Sequence, residues 1–169
     1  DAGINASDIK TWQDLSAAAK KIHEKNSKMA GWEPMWGKDN MVDAALSNGA
    51  SILSKDGKTV EINSDAWVEV WDSFRSWIHD DKTMKIHSGG QGWEYWYKTI
   101  DDVLANKAGG YTGSSGDQAD LDFTKVAAME QPGWGSNASA PTANALQLVM
   151  LENSSDEEKQ GVYEFMKYF

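Results

Sequence analysis

The sequence predicts an α/β chain built as a three-layer sandwich, and three observations carry that reading. Ala66, Trp67, Val70, Trp71, Phe74, Trp77 and Ile78 form one continuous apolar stripe at helical spacing. Short apolar runs at 126–129 and 145–151 have the length and content of strands buried on both faces. Residues 107–118 read as a strand entering a turn rich in Gly and Ser that opens a helix, the place where α/β sheets hold ligands. Helices alternating with such strands stack into layers.

The elements follow in order. Thr11 and Asp14 have capping-box spacing, and Trp12, Leu15, Ala19 and Ile22 recur helically, so a helix is expected from Trp12 to about Lys25. Residues 29–36 read as a strand that breaks at Pro34, with Trp32 and Trp36 on no helical stripe. Asp39 or Asn40 caps a helix running to about Asn48 and stopping at Gly49. Asp56-Gly57 is the turn signal of a hairpin over 52–62. Ser64 caps the striped helix, whose spacing puts Trp67, Trp71 and Trp77 in the core.

Residues 80–92 are polar and glycine-rich, a surface loop. The next helix carries Trp96, Ile100 and Leu104 toward the core. Trp93 stands at its mouth, where core and site are both open, and Tyr95 lies off the stripe. Asp117 to about Leu121 is a short helix. Ser155 and Glu158 form a capping box for a last helix with Val162, Phe165, Met166 and Phe169 on its apolar face.

At 169 residues one domain is expected over the whole chain. A net charge of -10 disfavours nucleic acid and anionic membrane surfaces. Without cysteine there is neither a disulfide frame nor a thiolate metal site. No cofactor or metal motif emerges. His23-Glu24 lacks the second His of a zinc protease helix, and Asp117, Asp120 and Asp122 lack the spacing and closing Glu of a calcium loop. His79 and His87 read as surface residues. Gly113 to Gly116 falls one residue short of a nucleophile elbow, and no dinucleotide or Walker signature is present. The outlier is nine Trp, a residue that serves either as core filler or as a flat platform for sugars, bases and cations.

The order of these pieces resembles one lobe of the extracellular solute-binding proteins of bacterial ABC importers, in the branch that binds sugars, oligosaccharides and glycerol phosphate. The resemblance rests on Thr11 to Leu15 at a helix start, and on the hairpin turn Asp56-Gly57 followed by Ser64-Asp65-Ala66-Trp67. It continues in Asn106 to Gly110, in the turn Gly113 to Gly116, and in the spacing from Ser154 to Phe169. It implies a lobe of the type II periplasmic-binding-protein fold, with the partner lobe and a C-terminal tail outside this chain. The chain starts without Met and stops inside a helical pattern, which also reads as a piece of a longer protein. The family pattern differs at Thr142-Ala143-Asn144, where relatives often carry two glycines before a strand.

The resemblance further implies a ligand held between lobes by stacked aromatics and by polar groups at strand-to-helix turns. Carried over by position, the ligand-binding candidates are Trp32, Trp36, Trp93, Ser114, Ser115, Asp117, Trp134 and Asn144. A pyranose offers an apolar C–H face to a ring and hydroxyls to amides, Ser and Asp, so the residue types suit it. The implied protein performs no catalysis and needs no cofactor. It is a monomer that hands a carbohydrate to a membrane permease, outside the cytoplasm and lipid-anchored in full-length form. Two alternatives stay open: a glycerol-3-phosphate-type ligand in the same role, and a fragment of a carbohydrate-active enzyme. Arg75 is the single arginine and flanks a core stripe, which tilts the ligand toward a neutral sugar.

Overall fold

A computed structural model describes residues 2–88, 91–143 and 147–168. Among the described residues the backbone threads five α-helices around a small parallel sheet. Helix α1, Trp12–Lys25, begins at a closed capping box: Thr11 Oγ1 accepts from Asp14 N at 3.1 Å and Asp14 Oδ2 accepts from Thr11 N at 3.0 Å. Strand β1, Glu33–Pro34, leads into α2, Lys38–Ser47. Helix α3, Asp65–Arg75, runs into a wider π turn at Ser76–Asp80. Helix α4 is Glu94–Leu104, strand β2 is Tyr111–Thr112, a 3₁₀ turn covers Ser115–Asp120, and α5 is Asp156–Tyr168.

The two strands pair in parallel, Glu33 opposite Tyr111 and Pro34 opposite Thr112. Backbone bonds outside the strands widen this ribbon. Ala30 N and Gly109 N bond across to Lys107 O and Ala30 O, while Trp32 N and Lys85 N link β1's approach to residues 83–85 on its other side. The 29–35 segment is thus central, flanked by 83–85 and 107–112. Strand β1 ends at Pro34, as expected, though one backbone bond continues past it. Pro34 lacks only its own N–H, and Met35 N donates to Thr112 O. Close approach here demands glycine: a Cβ on Gly31 would strike the Ala19 backbone, and one on Gly109 the Gly31 carbonyl.

The core lies between α1, α2 and α3. Trp12, Leu15, Ala44, Ala45, Trp67, Val70, Phe74, Met84 and Trp134 are buried together. Rings run through it in a chain, Trp12 to Phe74 at 5.1 Å, Phe74 to Trp77 at 5.2 Å and Trp77 to Trp134 at 5.9 Å. Trp67 is satisfied by donating from Nε1 to Ser51 O at 2.8 Å.

Several expectations change. Trp71 is 50 % exposed, because the packed ridge of α3 is Trp67, Val70 and Phe74, and Trp71 sits at its edge. Gly37, not Asp39 or Asn40, precedes the first residue of α2, and Asn40 reaches back to accept from Trp36 N at 3.1 Å. The 52–62 hairpin forms around Gly57 with one bridge, Leu53 to Val60. Residues 126–129 and the described part of 145–151 are irregular and largely exposed rather than strands. A parallel strand has no local partner, and no described strand runs beside either segment to supply its ladder. Helix α5 forms on its Ser155–Glu158 box yet buries no residue. The molecule is mixed helix and sheet, as the α/β expectation requires, with its sheet confined to β1 and β2 among the described residues.

Candidate functional site

Strand β1 and the turn after β2 gather five expected site residues round one cavity of about 1620 Å³: Trp32, Trp36, Ser114, Ser115 and Asp117. Trp32 is fixed by donating from Nε1 to Thr112 Oγ1 at 2.8 Å, and its ring lies across Gly110, where any Cβ would collide with it. In the turn, Ser114 Oγ accepts from Gly116 N at 3.1 Å. The buried Asp117 accepts through Oδ2 from Ser114 N at 2.9 Å and from the Tyr111 hydroxyl at 3.2 Å. Burial, with the Asp117 charge beside it, pushes the Tyr111 phenol well above its ordinary pKa. Asp117 therefore holds the turn in shape, while Ser114 and Ser115 stand exposed at its surface. Gly113 is required because a side chain there would run into Asp117 and Tyr111.

Trp36 is shared with a second, smaller cavity of about 340 Å³, whose lining includes Asp39, His87, Ser88 and Tyr95. It meets Trp93 edge-on at 6.3 Å and 88°, and Tyr95 at 6.0 Å and 74°. Trp93 is 60 % exposed and packs on Tyr95 at 6.3 Å. The position left open by sequence spacing therefore belongs to an aromatic corner with one open face. Tyr95 escaped the sequence reading because it lies off the α4 stripe; the signal available was its neighbourhood to Trp93 at a helix mouth.

Two polar residues of α2 were also missed. Asn40 fixes the backbone of Trp36, and Asp43 Oδ1 accepts from Thr142 N at 2.8 Å and Thr142 Oγ1 at 2.7 Å, pinning the 139–142 segment over the larger cavity. Both fall inside an amphipathic pattern and read as ordinary helix polarity. Trp134 sits apart from the cavities. It is 2 % exposed, donates from Nε1 to Glu69 Oε1 at 3.0 Å and fills the core, so its flanking glycines mark a tight loop and not an open platform. Asn144 lies outside the described residues.

Behind the aromatic corner, four ionisable groups converge from three segments. Glu33 in β1 is 1 % exposed, and neither carboxylate oxygen has a hydrogen-bond partner among the described residues. Lys85 Nζ lies 3.5 Å from Glu33 Oε1 and 2.6 Å from Asp102 Oδ2. His87 Nε2 lies 3.5 Å from Glu33 Oε2 and 2.9 Å from Asp102 Oδ2. Burial pushes the Glu33 carboxyl up to about 7, against the pull of Lys85 and with the repulsion of Asp102. Asp102 is also penalised by burial, but the hydrogen bonds from Lys85 and His87 outweigh it and hold its pKa below the usual value. His87, expected at the surface, is instead largely enclosed. These residues are far apart in sequence. The one visible hint was a charge inside the apolar run around Trp32 and Trp36.

Chemically, the two cavities offer rings for apolar faces, hydroxyls and amides for polar edges, and one enclosed carboxylate–imidazole group. No helix among the described residues is long and apolar enough to cross a membrane.

Comparison with known proteins bears on what such a surface is for. The chain is 26 % identical over 96 residues to the arabinooligosaccharide-binding protein of Bacillus subtilis (strain 168), covering 57 % of this chain and 22 % of that protein. Its fold matches the GacH receptor of Streptomyces glaucescens GLA.O, solved without ligand and with acarbose and an acarbose homologue. That match has a TM-score of 0.59 at 14 % identity and covers 81 % of this chain and 35 % of the receptor. The chain thus spans well under half the length of either relative. The likeness to the receptor extends to fold alone, and the α/β lobe expected from the sequence is the architecture found. All of residues 1–169 match one family along their length, and the chain belongs to it: the bacterial extracellular solute-binding proteins.

Proposed function

We propose that this chain forms one wall of the cleft in which an ABC importer's solute-binding protein captures a sugar or oligosaccharide, outside the cytoplasm and without catalysis. The observation that carries the reading is the aromatic corner of Trp36, Trp93 and Tyr95, open on the Trp93 face beside a cavity whose lining includes Asp39, His87 and Ser88. Trp36 lines both cavities, so a ligand stacked there meets polar groups on either side. Rings of this kind cover the C–H face of a pyranose, and the exposed Ser114 and Ser115 hydroxyls suit its edge. Family membership supports capture over chemistry, and the two named relatives bind an oligosaccharide and acarbose by their own descriptions. Trp32 and Asp117 are placed to support the wall: one is held by Thr112, the other is spent on its own turn. The far wall and a lipid anchor belong to the rest of such a protein, and the permease that receives the solute is its separate membrane partner.

The test is intrinsic Trp fluorescence of the full-length protein titrated with neutral oligosaccharides and with glycerol 3-phosphate. A saturable shift with a neutral sugar, lost in Trp36→Ala and without product formation, is the expected result. A response to glycerol 3-phosphate alone would move the ligand class, and hydrolysis of any glycan would overturn the binding reading. The isolated 169-residue chain should bind weakly, because one wall holds only part of the contacts; micromolar affinity for it would contradict the one-wall assignment.

A further inference from the structure

We infer that Glu33, His87 and Asp102 form a binding site for a divalent transition-metal ion, with zinc the best match. The inference is independent of the sugar-binding reading. The three donor atoms, one nitrogen and two carboxylate oxygens, lie within 4.8 Å of one another. Two of their separations are 2.9 Å and 3.5 Å. A tetrahedral ion with bonds of about 2.0 to 2.2 Å places its ligands about 3.3 to 3.6 Å apart, so little movement is needed to seat one. An imidazole with carboxylates is a donor set that zinc accepts.

Enclosure supports the assignment. Glu33 is a carboxylate at 1 % exposure whose two oxygens accept no hydrogen bond among the described residues and have only the 3.5 Å approaches of Lys85 and His87 to offset their burial. A cation between Glu33 and His87 would satisfy it. The three ligands come from β1, the segment after Met84, and α4, so an ion would add a cross-link from α4 to the backbone-bonded pair of β1 and residues 83–85. His87 also lines the cavity of about 340 Å³, which gives the ion a route from solvent and room for the water that completes four positions.

Lys85 is the built-in competitor. Its ammonium sits on the same two carboxylates and supplies one positive charge where the ion would supply two. Its side chain is 47 % exposed, so it can leave for solvent when the ion arrives. The chain therefore holds a lysine as counter-ion and exchanges it for metal.

The test is zinc binding to the 169-residue chain, read by competition with a chromophoric chelator and by the shift in Tm, alongside the visible spectrum of the cobalt-loaded chain. Zinc should raise Tm, and cobalt should give the absorption of a four-coordinate nitrogen–oxygen set. His87→Gln and Asp102→Asn should each weaken zinc binding by at least about tenfold. Lys85→Met keeps all three donors, so it remains informative where loss of a ligand loosens the fold, and it should tighten binding by about tenfold or more. Zinc binding that His87→Gln and Asp102→Asn leave unchanged would place the ion elsewhere, at His23 or His79, and overturn the site. Absence of zinc binding by the unmodified chain, or weaker binding by Lys85→Met, would overturn it equally.

Discussion

Trp12 is the most deeply set large side chain, and it is buried with its Nε1–H unpartnered among the described residues. Its ring packs against Phe74 at 5.1 Å, so its worth lies in volume rather than polarity. Trp12→Ala should cost about 3 to 5 kcal/mol in chemical denaturation. Trp12→Phe should cost no more than about 1.5 kcal/mol, because removing an unsatisfied buried donor offsets part of the lost packing. A large loss on Trp12→Phe would mean that the indole nitrogen has a partner after all. Trp134 is the contrasting case, since its nitrogen is committed to Glu69. Asp14 allows a pH test of the same kind. Hydrogen bonds from Thr11 and Lys10 hold its pKa below the usual value, so its stabilisation is present above about pH 4 and is lost as pH falls through its lowered pKa. The stability difference between the chain and Asp14→Asn should therefore shrink on acidification from pH 5 to pH 2, measured by urea midpoints. A difference that stays constant over that range would remove Asp14 as its source.

Two helices carry the same capping chemistry with different surroundings. Thr11 and Ser155 each close a box with an acidic residue three positions on, but α1 buries four residues and α5 buries none. Thr11→Ala should lower global stability by about 1 kcal/mol. Ser155→Ala should lower helical circular dichroism and hydrogen-exchange protection in α5 while leaving the global urea midpoint in place. Equal effects of the two substitutions on that midpoint would mean that α5 is coupled to the core. The same contrast explains what could be read from the chain beforehand. Helices α1, α3 and α5, the Asp56-Gly57 turn and both boxes were visible because their information is local: periodicity, caps and turn residues within a few positions. Strands are not local. Residues 126–129 and 145–151 have strand composition, but composition cannot provide the neighbour that a parallel ladder needs. The site divides along the same line. Trp32 and Trp36 stood out through their glycine and proline neighbours, and Trp134 carried the same neighbours into the core. The group of Glu33, Lys85, His87 and Asp102 exists only once three segments have met.

At the scale of the molecule, burial is uneven. The core is drawn from α1, α2, α3 and the loop at Trp134, whereas Leu148, Val149, Met150 and Leu151 are exposed in an irregular segment just before α5. Thermolysin should cut first within 148–151 and leave a folded core carrying Trp12 and Trp67. First cleavage within α1 or α3 would contradict this division.

The parallel pairing of β1 with β2 has a kinetic corollary. Trp32 and its hydrogen-bond partner Thr112 are 80 residues apart, and α2, α3 and α4 lie within the loop they close. Loop closure over that distance costs entropy before any ladder bond returns it, so the local contacts of α2 with α3 form early and the ribbon late. The aromatic corner hangs from that ribbon through Trp36. The proposed sugar-facing wall thus forms after the local helix contacts, and a nascent chain cannot offer it until residue 112 has emerged.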